Sequence, residues 1–179
     1  MNECRVIAAV RDEEALAVAL KSKVKVIFDL SPHIDTLKDR ALLCKENNKM
    51  LFIHIDLAEG IGKDKAGLNF IKRSGADGII STRSALIKLA NEIGLKTVQR
   101  TFIVDSQSVE TAFLTVKTRP DMAEIMPGVI SPRIMKKICS QIEVPVIVGG
   151  LIELPEEIEA ALSSGVSAVS TGKKELWNY

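Results

Sequence analysis

Two glycine-containing stretches near the C-terminus have the residue types that bind phosphate. Gly149-Gly150 follows the apolar residues of PVIVGG, and Ser170-Thr171-Gly172 follows a second apolar run at residues 166–169. Glycine lets the backbone approach a ligand closely, and main-chain N–H groups in such turns bind anions. In (β/α)8 barrels the turns after the seventh and eighth strands form a recurring phosphate site. We therefore predict that Gly149, Gly150, Ser170, Thr171 and Gly172 bind a phosphate group.

A histidine and an aspartate occur two residues apart in the apolar run of residues 50–57, MLFIHIDL. On a strand this spacing places His54 and Asp56 on one face, where they would form a hydrogen-bonding pair or an acid and a base. The alternative is an interior histidine with satisfied hydrogen bonds and an aspartate that caps a loop. Two residues are too few for a metal site, and we expect none.

Arginines follow two of the other apolar runs. Arg83 comes after Ser81-Thr82 at the start of a helical pattern, where the helix dipole disfavours a cation, so a bound anion would remove that conflict. Arg11 follows the first apolar run, which neighbours the eighth strand in a closed barrel, so it would reach the phosphate or remain solvated. Asp29 ends the second apolar run and is a candidate ligand for hydroxyl groups.

Arg100 lies inside the apolar run KTVQRTFIV. A buried arginine needs a partner, which is either an internal carboxylate or a ligand. Glu124, in the run AEIMPG, is such a carboxylate. A structural Arg100–Glu124 pair and direct ligand contacts by both residues are equally compatible with the pattern.

Eight apolar strand patterns alternate with helical ones, at residues 5–10, 24–30, 50–57, 78–82, 96–104 and 122–126 and at the two glycine-containing stretches. This alternation indicates a parallel α/β fold, and eight units favour a closed barrel. We predict one domain over residues 1–179, a small (β/α)8 TIM-barrel-like fold with a truncated last helix. Ser31-Pro32 fits the start of the second helix, and Asp12 fits an N-cap. Asp105 or Ser106 fits another N-cap, and Asp105 could alternatively bind ligand hydroxyl groups. Trp177 either covers the gap left by the last helix or contacts another subunit in a homodimer.

The composition is ordinary for a soluble protein, with 46% hydrophobic and 26% charged residues. No stretch is long enough to span a membrane and no signal peptide is recognisable, so we expect a cytoplasmic protein without a membrane partner. The net charge of +1 gives no electrostatic argument for nucleic acid. The basic groups Lys21-Lys23-Lys25 and Arg133-Lys136-Lys137 are interpreted as solvated surfaces.

Six motifs taken together resemble the glycerol uptake operon antiterminator family: HIDLAEGIGKDKAG, GIISTRS, VQRTFIVDS, EIMPG, PVIVGGLI and STGKKELW. The resemblance extends over about residues 6–177. It implies a (β/α)8-like barrel that binds glycerol 3-phosphate as its effector, without a cofactor. It also implies that the liganded protein acts on the leader mRNA of a glycerol-metabolism operon, so that transcription passes a terminator.

The leading hypothesis is therefore a transcription antiterminator without catalytic activity. The two glycine-containing turns would hold the phosphate together with Arg11 or Arg83. His54, Asp56, Arg100 and Glu124 would contact the glycerol hydroxyls, and closure of the loop at residues 59–67 would create an RNA-binding surface.

A second hypothesis is a small barrel enzyme, an isomerase or lyase acting on a phosphorylated metabolite, with Glu124, Asp56 or His54 as general base. A third keeps the anion site and replaces glycerol 3-phosphate by another organic phosphate or a carboxylate.

Overall fold

The fold is a closed barrel of eight parallel strands, seen in a computed structural model that describes residues 4–179. The strands are β1 Val6–Val10, β2 Val26–Asp29, β3 Met50–His54, β4 Gly78–Ser81, β5 Lys96–Phe102, β6 Met122–Met126, β7 Val146–Gly149 and β8 Ala168–Thr171. The helices are α1 Glu13–Lys21, α2 Leu37–Glu46, α3 Lys65–Arg73, α4 Ser84–Glu92, α5 Ser106–Thr115, α6 Pro132–Gln141 and α7 Pro155–Ser163. Strand β8 pairs with β1 and closes the barrel. The predicted (β/α)8 architecture is confirmed.

The eighth helix is truncated, as predicted, because a 3-10 turn, Lys174–Asn178, takes its place after β8 within residues 4–179. Trp177 is fully buried in that turn, and its Nε1 donates a hydrogen bond of 2.8 Å to the carbonyl oxygen of Thr171. The indole therefore covers the gap within the chain and is not exposed to contact another subunit. Within residues 4–179, no helix is long and apolar enough to cross a membrane.

Aspartate side chains fix the starts of two helices at the predicted positions. Asp12 accepts a hydrogen bond of 2.7 Å from the N–H of Ala15, and Asp105 accepts one of 2.8 Å from the N–H of Ser108. Such caps satisfy N–H groups that have no partner inside the helix. The turns that follow β1 and β5 are therefore determined locally.

The predicted start of the second helix at Ser31-Pro32 is wrong, because α2 begins at Leu37. Residues 31–36 form a loop that pairs with the loop after β3. The N–H of Ile34 donates to the carbonyl oxygen of Glu59 at 3.0 Å, and the N–H of Glu59 donates to the carbonyl oxygen of Pro32 at 2.9 Å. These backbone groups are used between loops and are not available for a helical turn.

Strand β3 is shorter than predicted, since it ends at His54 and residues Ile55–Leu57 form a 3-10 turn. His54 and Asp56 therefore do not share one face of a strand. The predicted second and fifth strands were also too long at one end, because β2 begins at Val26 and β5 ends at Phe102.

Apolar side chains fill the lower part of the barrel interior. Phe28 and Phe52 meet edge to face, with ring centroids 5.7 Å apart, among Ile7, Ile80 and Val98. The larger apolar core lies between the strands and the helices. Polar inward-facing residues lie above these apolar side chains, toward the C-terminal ends of the strands, where (β/α)8 proteins have their functional sites.

Candidate functional site

A cavity of about 290 Å³ opens at the C-terminal ends of β7, β8 and β1. Its wall consists of Ala9, Arg11, Leu30, Arg100, Met126, residues 150–153 and residues 170–173. The structure thus brings together five of the six predicted phosphate-binding residues, Gly150, Ser170, Thr171, Gly172 and Arg11. The sixth, Gly149, is buried at the end of β7 and does not line the cavity. Residues 59–67, predicted to close over the ligand, do not line it either.

The two adjacent glycines have different roles. A Cβ on Gly149 would overlap the Ser170 hydroxyl and would lie 2.7 Å from Glu124 Oε1, so interior packing requires glycine there. Gly150 has φ +80°, a left-handed conformation that turns the backbone around the cavity. Leu151 follows at φ +62°, where a residue with a bulky side chain is sterically unfavourable.

Main-chain groups beside the cavity are available for a ligand. The carbonyl oxygen of Gly150 accepts a hydrogen bond of 2.9 Å from the N–H of Gly128, which fixes the loop after β7. The N–H groups of Gly150, Leu151, Ile152 and Gly172 donate to no acceptor within residues 4–179. Unpaired N–H groups at a cavity wall are suited to an anion.

The hydroxyl groups of the predicted site are already engaged. Ser170 Oγ donates to Glu124 Oε1 at 2.7 Å, inside the barrel. Thr171 Oγ1 donates to the carbonyl oxygen of Ile152 at 2.7 Å and accepts from the N–H of Lys173 at 3.1 Å. Both hydroxyls therefore hold the strand tips and the cavity wall in place.

Two cationic side chains at the cavity have no ion-pair partner within residues 4–179. Arg11 and Lys173 are both exposed, and neither approaches a carboxylate within 4.0 Å. Lys173 was missed by the sequence analysis, although it directly follows Gly172. Glu153 adds one carboxylate to the same wall.

The Arg100–Glu124 pair is present, with Arg100 Nε 2.7 Å from Glu124 Oε2. Glu124 is fully buried, and its other oxygen accepts from Ser170. Arg100 lines the cavity, and Nε is the one guanidinium atom that forms a hydrogen bond within the described residues. Glu124 therefore orients Arg100, whose terminal nitrogens remain available at the cavity.

His54 ends β3 and is buried, and its Nδ1 is the one fully buried side-chain N or O atom without a hydrogen-bond partner within residues 4–179. Burial and, secondarily, the positive charge of Arg100 lower the pKa of His54 from 6.5 to about 4. The charge of Asp56 opposes this shift without reversing it. His54 is thus a neutral imidazole at physiological pH, and it does not line the cavity.

Asp56 forms a separate cluster with Ser81, Thr82 and Arg83, which we call the Asp56 cluster. Asp56 accepts from Ser81 Oγ at 2.8 Å, from Thr82 N–H at 2.7 Å and from Thr82 Oγ1 at 2.9 Å. Arg83 Nε lies 3.8 Å from Asp56 Oδ1. Burial raises the pKa of Asp56, but the hydrogen bonds from Thr82 and Ser81 outweigh it and hold the pKa below the ordinary 3.8. The cation at the start of α4 is thus balanced within the chain, and the predicted His54–Asp56 hydrogen-bonded pair is not formed.

Asp29 is not part of the mouth. Its Oδ2 pairs with Arg40 Nη1 at 2.8 Å, and Arg40 Nε also bonds to Glu13 Oε1 at 2.9 Å. Asp29 is fully buried between β2 and the helix layer, because its position alternates with the inward-facing Phe28 and Leu30. It joins α1 and α2 to the barrel.

Fold and geometry together define a small (β/α)8 barrel with a cationic cavity at its C-terminal mouth. The sequence model of the glycerol-3-phosphate responsive antiterminators matches residues 6–177. The chain belongs to this family, and the resemblance recognised from its motifs is confirmed.

Two solved structures of high coverage agree with that assignment, and an uncharacterized relative matches the chain over a similar length. The chain is 36% identical to the uncharacterized protein YgcP of Escherichia coli K12, over 96% of this chain and 91% of that protein. The crystal structure of the glycerol uptake operon antiterminator regulatory protein from Listeria monocytogenes has a TM-score of 0.90 and 31% identity, over 99% of this chain and 96% of that one. That of an antiterminator-related protein from Thermotoga maritima has a TM-score of 0.87 and 31% identity, over 99% and 100%. An aldolase that is 13% identical, with a TM-score of 0.75, shares the fold alone.

Proposed function

We propose that this chain is a glycerol 3-phosphate-responsive transcription antiterminator that acts on the leader mRNA of a glycerol-metabolism operon. Membership of the family supports the regulatory class. The observation that carries the effector is the convergence of Arg11, Lys173 and unpaired main-chain N–H groups on one cavity. A phosphate dianion would give all of these donors a partner.

In this proposal the phosphate lies between the loop after β7 and the tip of β8. The N–H groups of Ile152 and Gly172 donate to it, and Arg11 and Lys173 supply charge. The cavity, at about 290 Å³, is at the small end of the range for ligand pockets, about 300–1,000 Å³, which favours a small metabolite over a nucleotide.

The glycerol part would face the barrel interior. Arg100 lines the cavity, and its terminal guanidinium nitrogens form no hydrogen bond within residues 4–179, whereas His54 does not line the cavity. Glu124 then acts on the ligand through Arg100. Asp56, Arg83 and Asp29, whose charges are balanced within the chain, stabilise the fold.

The geometry supports binding over catalysis. A general base needs an oxygen or nitrogen within reach of the substrate. Both Glu124 oxygens are engaged by Arg100 and Ser170, and Asp56 is engaged by its cluster. His54 has a free nitrogen but does not line the cavity. We therefore infer a regulator without isomerase or lyase activity.

Binding of the effector is tested by thermal unfolding with glycerol 3-phosphate, glycerol, inorganic phosphate and other phosphorylated metabolites. At about 100 times its dissociation constant a ligand adds roughly 2.7 kcal/mol, which corresponds to about 5–11 °C for a chain of this size. Glycerol 3-phosphate should give the largest shift and glycerol none. A larger shift with another phosphate or with a carboxylate would keep the site and replace the effector.

Two variants test whether the thermal shift arises from binding at the cavity. Arg11→Ala and Lys173→Ala should each weaken glycerol 3-phosphate binding about ten- to a hundredfold, the free energy of one charged hydrogen bond. Lys88→Ala removes an exposed lysine on α4 and is the matched control, with affinity unchanged. Equal effects of all three variants would exclude the cavity as the binding site.

The regulatory step is tested by titrating leader RNA with and without glycerol 3-phosphate. A ligand shifts a protein toward the RNA-binding state only if it binds that state more tightly, and the coupling is reciprocal. Glycerol 3-phosphate should therefore bind more tightly when RNA is present. Equal affinities would rule out the switch and leave a metabolite-binding protein.

A further inference from the structure

Helix α3 presents three basic side chains to solvent on one face. Lys65, Lys72 and Arg73 are exposed, and their spacing of seven and eight residues places them on one stripe of the helix. The helix contains no acidic residue. We call these three residues the α3 basic face. It extends along most of the helix, because Lys65 and Lys72 are about 11 Å apart along the axis.

The positive charge of the α3 basic face is not balanced by ion pairs. None of the three side chains approaches a carboxylate within 4.0 Å in residues 4–179. Lys72 Nζ donates to the carbonyl oxygen of Ile93, a neutral acceptor. Asp64, the carboxylate that precedes the helix, is its N-cap and accepts from the N–H of Gly67 at 2.9 Å. The face is therefore open to an anionic partner.

Helix stability accounts for only part of this charge. Lys72 and Arg73 lie in the last turn, where the helix dipole favours cations. Lys65 is the first residue of α3, where the same dipole disfavours a cation. An anion bound beside Lys65 would offset that unfavourable interaction.

Helix α6 carries the same number of basic residues, but its surroundings differ. Its cations are Arg133, Lys136 and Lys137, and Lys137 pairs with Glu110 of α5. The adjacent helix α7 carries three glutamates and no basic residue. On α2 and α4, the neighbours of α3, the exposed acidic and basic residues are equal in number. A polyanion would thus be repelled beside α6 but not beside α3.

Two loops in contact join α3 to the mouth cavity. Leu30 lines the cavity, and residues 31–36 follow it directly. The N–H of Ile34 donates to the carbonyl oxygen of Glu59 at 3.0 Å. A Cβ on Gly60 would lie 2.5 Å from Ile34 Cγ2, so the two loops pack closely. Gly60 is five residues before the start of α3, which is therefore linked to the cavity wall by direct contacts.

We propose that the α3 basic face binds the sugar–phosphate backbone of the leader RNA, an inference that rests on the antiterminator function proposed above. Lys65 and Lys72 would contact different phosphates of one strand, and Arg73 would add a third contact. Such contacts supply affinity and orientation without reading the bases. Membership of an antiterminator family favours RNA over an acidic protein as the polyanion.

The test is a salt series of RNA binding, measured by fluorescence anisotropy with leader RNA transcribed in vitro, with and without saturating glycerol 3-phosphate. Lys65→Gln/Lys72→Gln/Arg73→Gln removes the three charges and keeps long side chains of good helix propensity. RNA affinity at about 0.15 M salt should fall about ten- to a hundredfold. The slope of log affinity against log salt concentration should decrease in magnitude by about two.

Arg133→Gln/Lys136→Gln/Lys137→Gln is the matched control, because it removes the same number of charges from α6. It should keep the native RNA affinity and the native salt slope. Both triple variants should keep the native thermal shift with glycerol 3-phosphate, since none of the six side chains lines the mouth cavity. The same unfolding curves establish that the variants are folded.

Two outcomes would overturn the α3 basic face as the RNA contact. If its triple variant binds RNA as the native chain does, the face is left to an acidic protein or to solvent. If both triple variants lose affinity equally, RNA binding follows total charge and not this helix. A native chain that binds no RNA at any salt concentration would instead refute the proposed antitermination, and this surface with it.

Discussion

Two corners of the barrel mouth carry charged residues, and they differ in how far those residues satisfy one another. At the ends of β3 and β4, Asp56 accepts three hydrogen bonds and lies beside Arg83. At the ends of β7, β8 and β1, Arg11 and Lys173 lack carboxylate partners within the described chain, and several main-chain N–H groups lack acceptors. A satisfied cluster stabilises the fold, whereas converging unpaired donors are suited to a ligand. Residue type alone does not distinguish them.

The largest loss of stability is expected at Glu124, whose carboxylate bonds to Arg100 and Ser170 beneath the cavity at the ends of β7, β8 and β1. Glu124→Gln leaves Arg100 buried without its counter-charge, and breaking a buried pair in this way costs about 3–5 kcal/mol. Urea unfolding followed by Trp177 fluorescence measures the loss. Glu143→Gln, at an exposed position, is the control. A stability unchanged by Glu124→Gln would mean that the corner does not depend on this pair. If instead the native chain has isomerase or lyase activity and Glu124→Gln abolishes it, the result would favour the hypothesis of a small barrel enzyme.

The Asp56 cluster should behave as structure without a ligand role. Asp56→Asn should lower the free energy of unfolding at pH 7 by about 1.5–3 kcal/mol, the contribution of hydrogen bonds to a charged group, and leave glycerol 3-phosphate affinity unchanged. Because the folded pKa of Asp56 lies below 3.8, its stabilisation is present above that pH and is lost as the pH falls through the folded value. The variant should therefore lose less stability in acid. Weakened ligand binding would remove the distinction between the corners.

The pKa of His54 is lowered mainly by burial, and charges from both corners also act on it, since Arg100 lowers it and Asp56 raises it. Unfolded chains take up a proton at about pH 6.5, but folded His54 does so only at about pH 4. The free energy of unfolding should therefore decrease as the pH is lowered from 6.5 to about 4, by up to about 1.4 kcal/mol per pH unit. His54→Gln should flatten the profile, while His33→Gln, at the surface beside Asp35, should not. An anionic ligand beside Arg100 should also alter this slope, because it would offset the positive charge that lowers the pKa of His54.

The smallest change in stability is expected at Gly172. A Cβ there would lie 3.6 Å from the carbonyl oxygen of Ala9, an ordinary contact, and Gly172 has no positive φ. Gly172→Ala should change stability by less than about 0.5 kcal/mol. It should nevertheless weaken glycerol 3-phosphate binding by about two- to tenfold, because the added Cβ would take up space at the cavity beside the Gly172 N–H, which alanine retains. Calorimetry that shows full affinity would place the phosphate elsewhere in the cavity.

Much of the fold follows from the amino-acid sequence alone. The alternation of apolar runs with helical patterns depends on local periodicity, and Asp12 and Asp105 cap helices through bonds to residues three positions away. The two glycine-containing turns were recognisable because strands seven and eight are neighbours in any closed barrel of eight.

Tertiary structure decided which polar groups are free. Whether Asp29 faces a ligand or Arg40 depends on a side chain eleven positions away, and the end of β3 at His54 moved Asp56 to Ser81 and Thr82. Lys173 became a candidate only when the strand tips met around a cavity. Hydrogen bonding and burial are properties of groups distant along the chain, so the sequence determined the set of polar residues, and packing determined which of them remain available to a ligand.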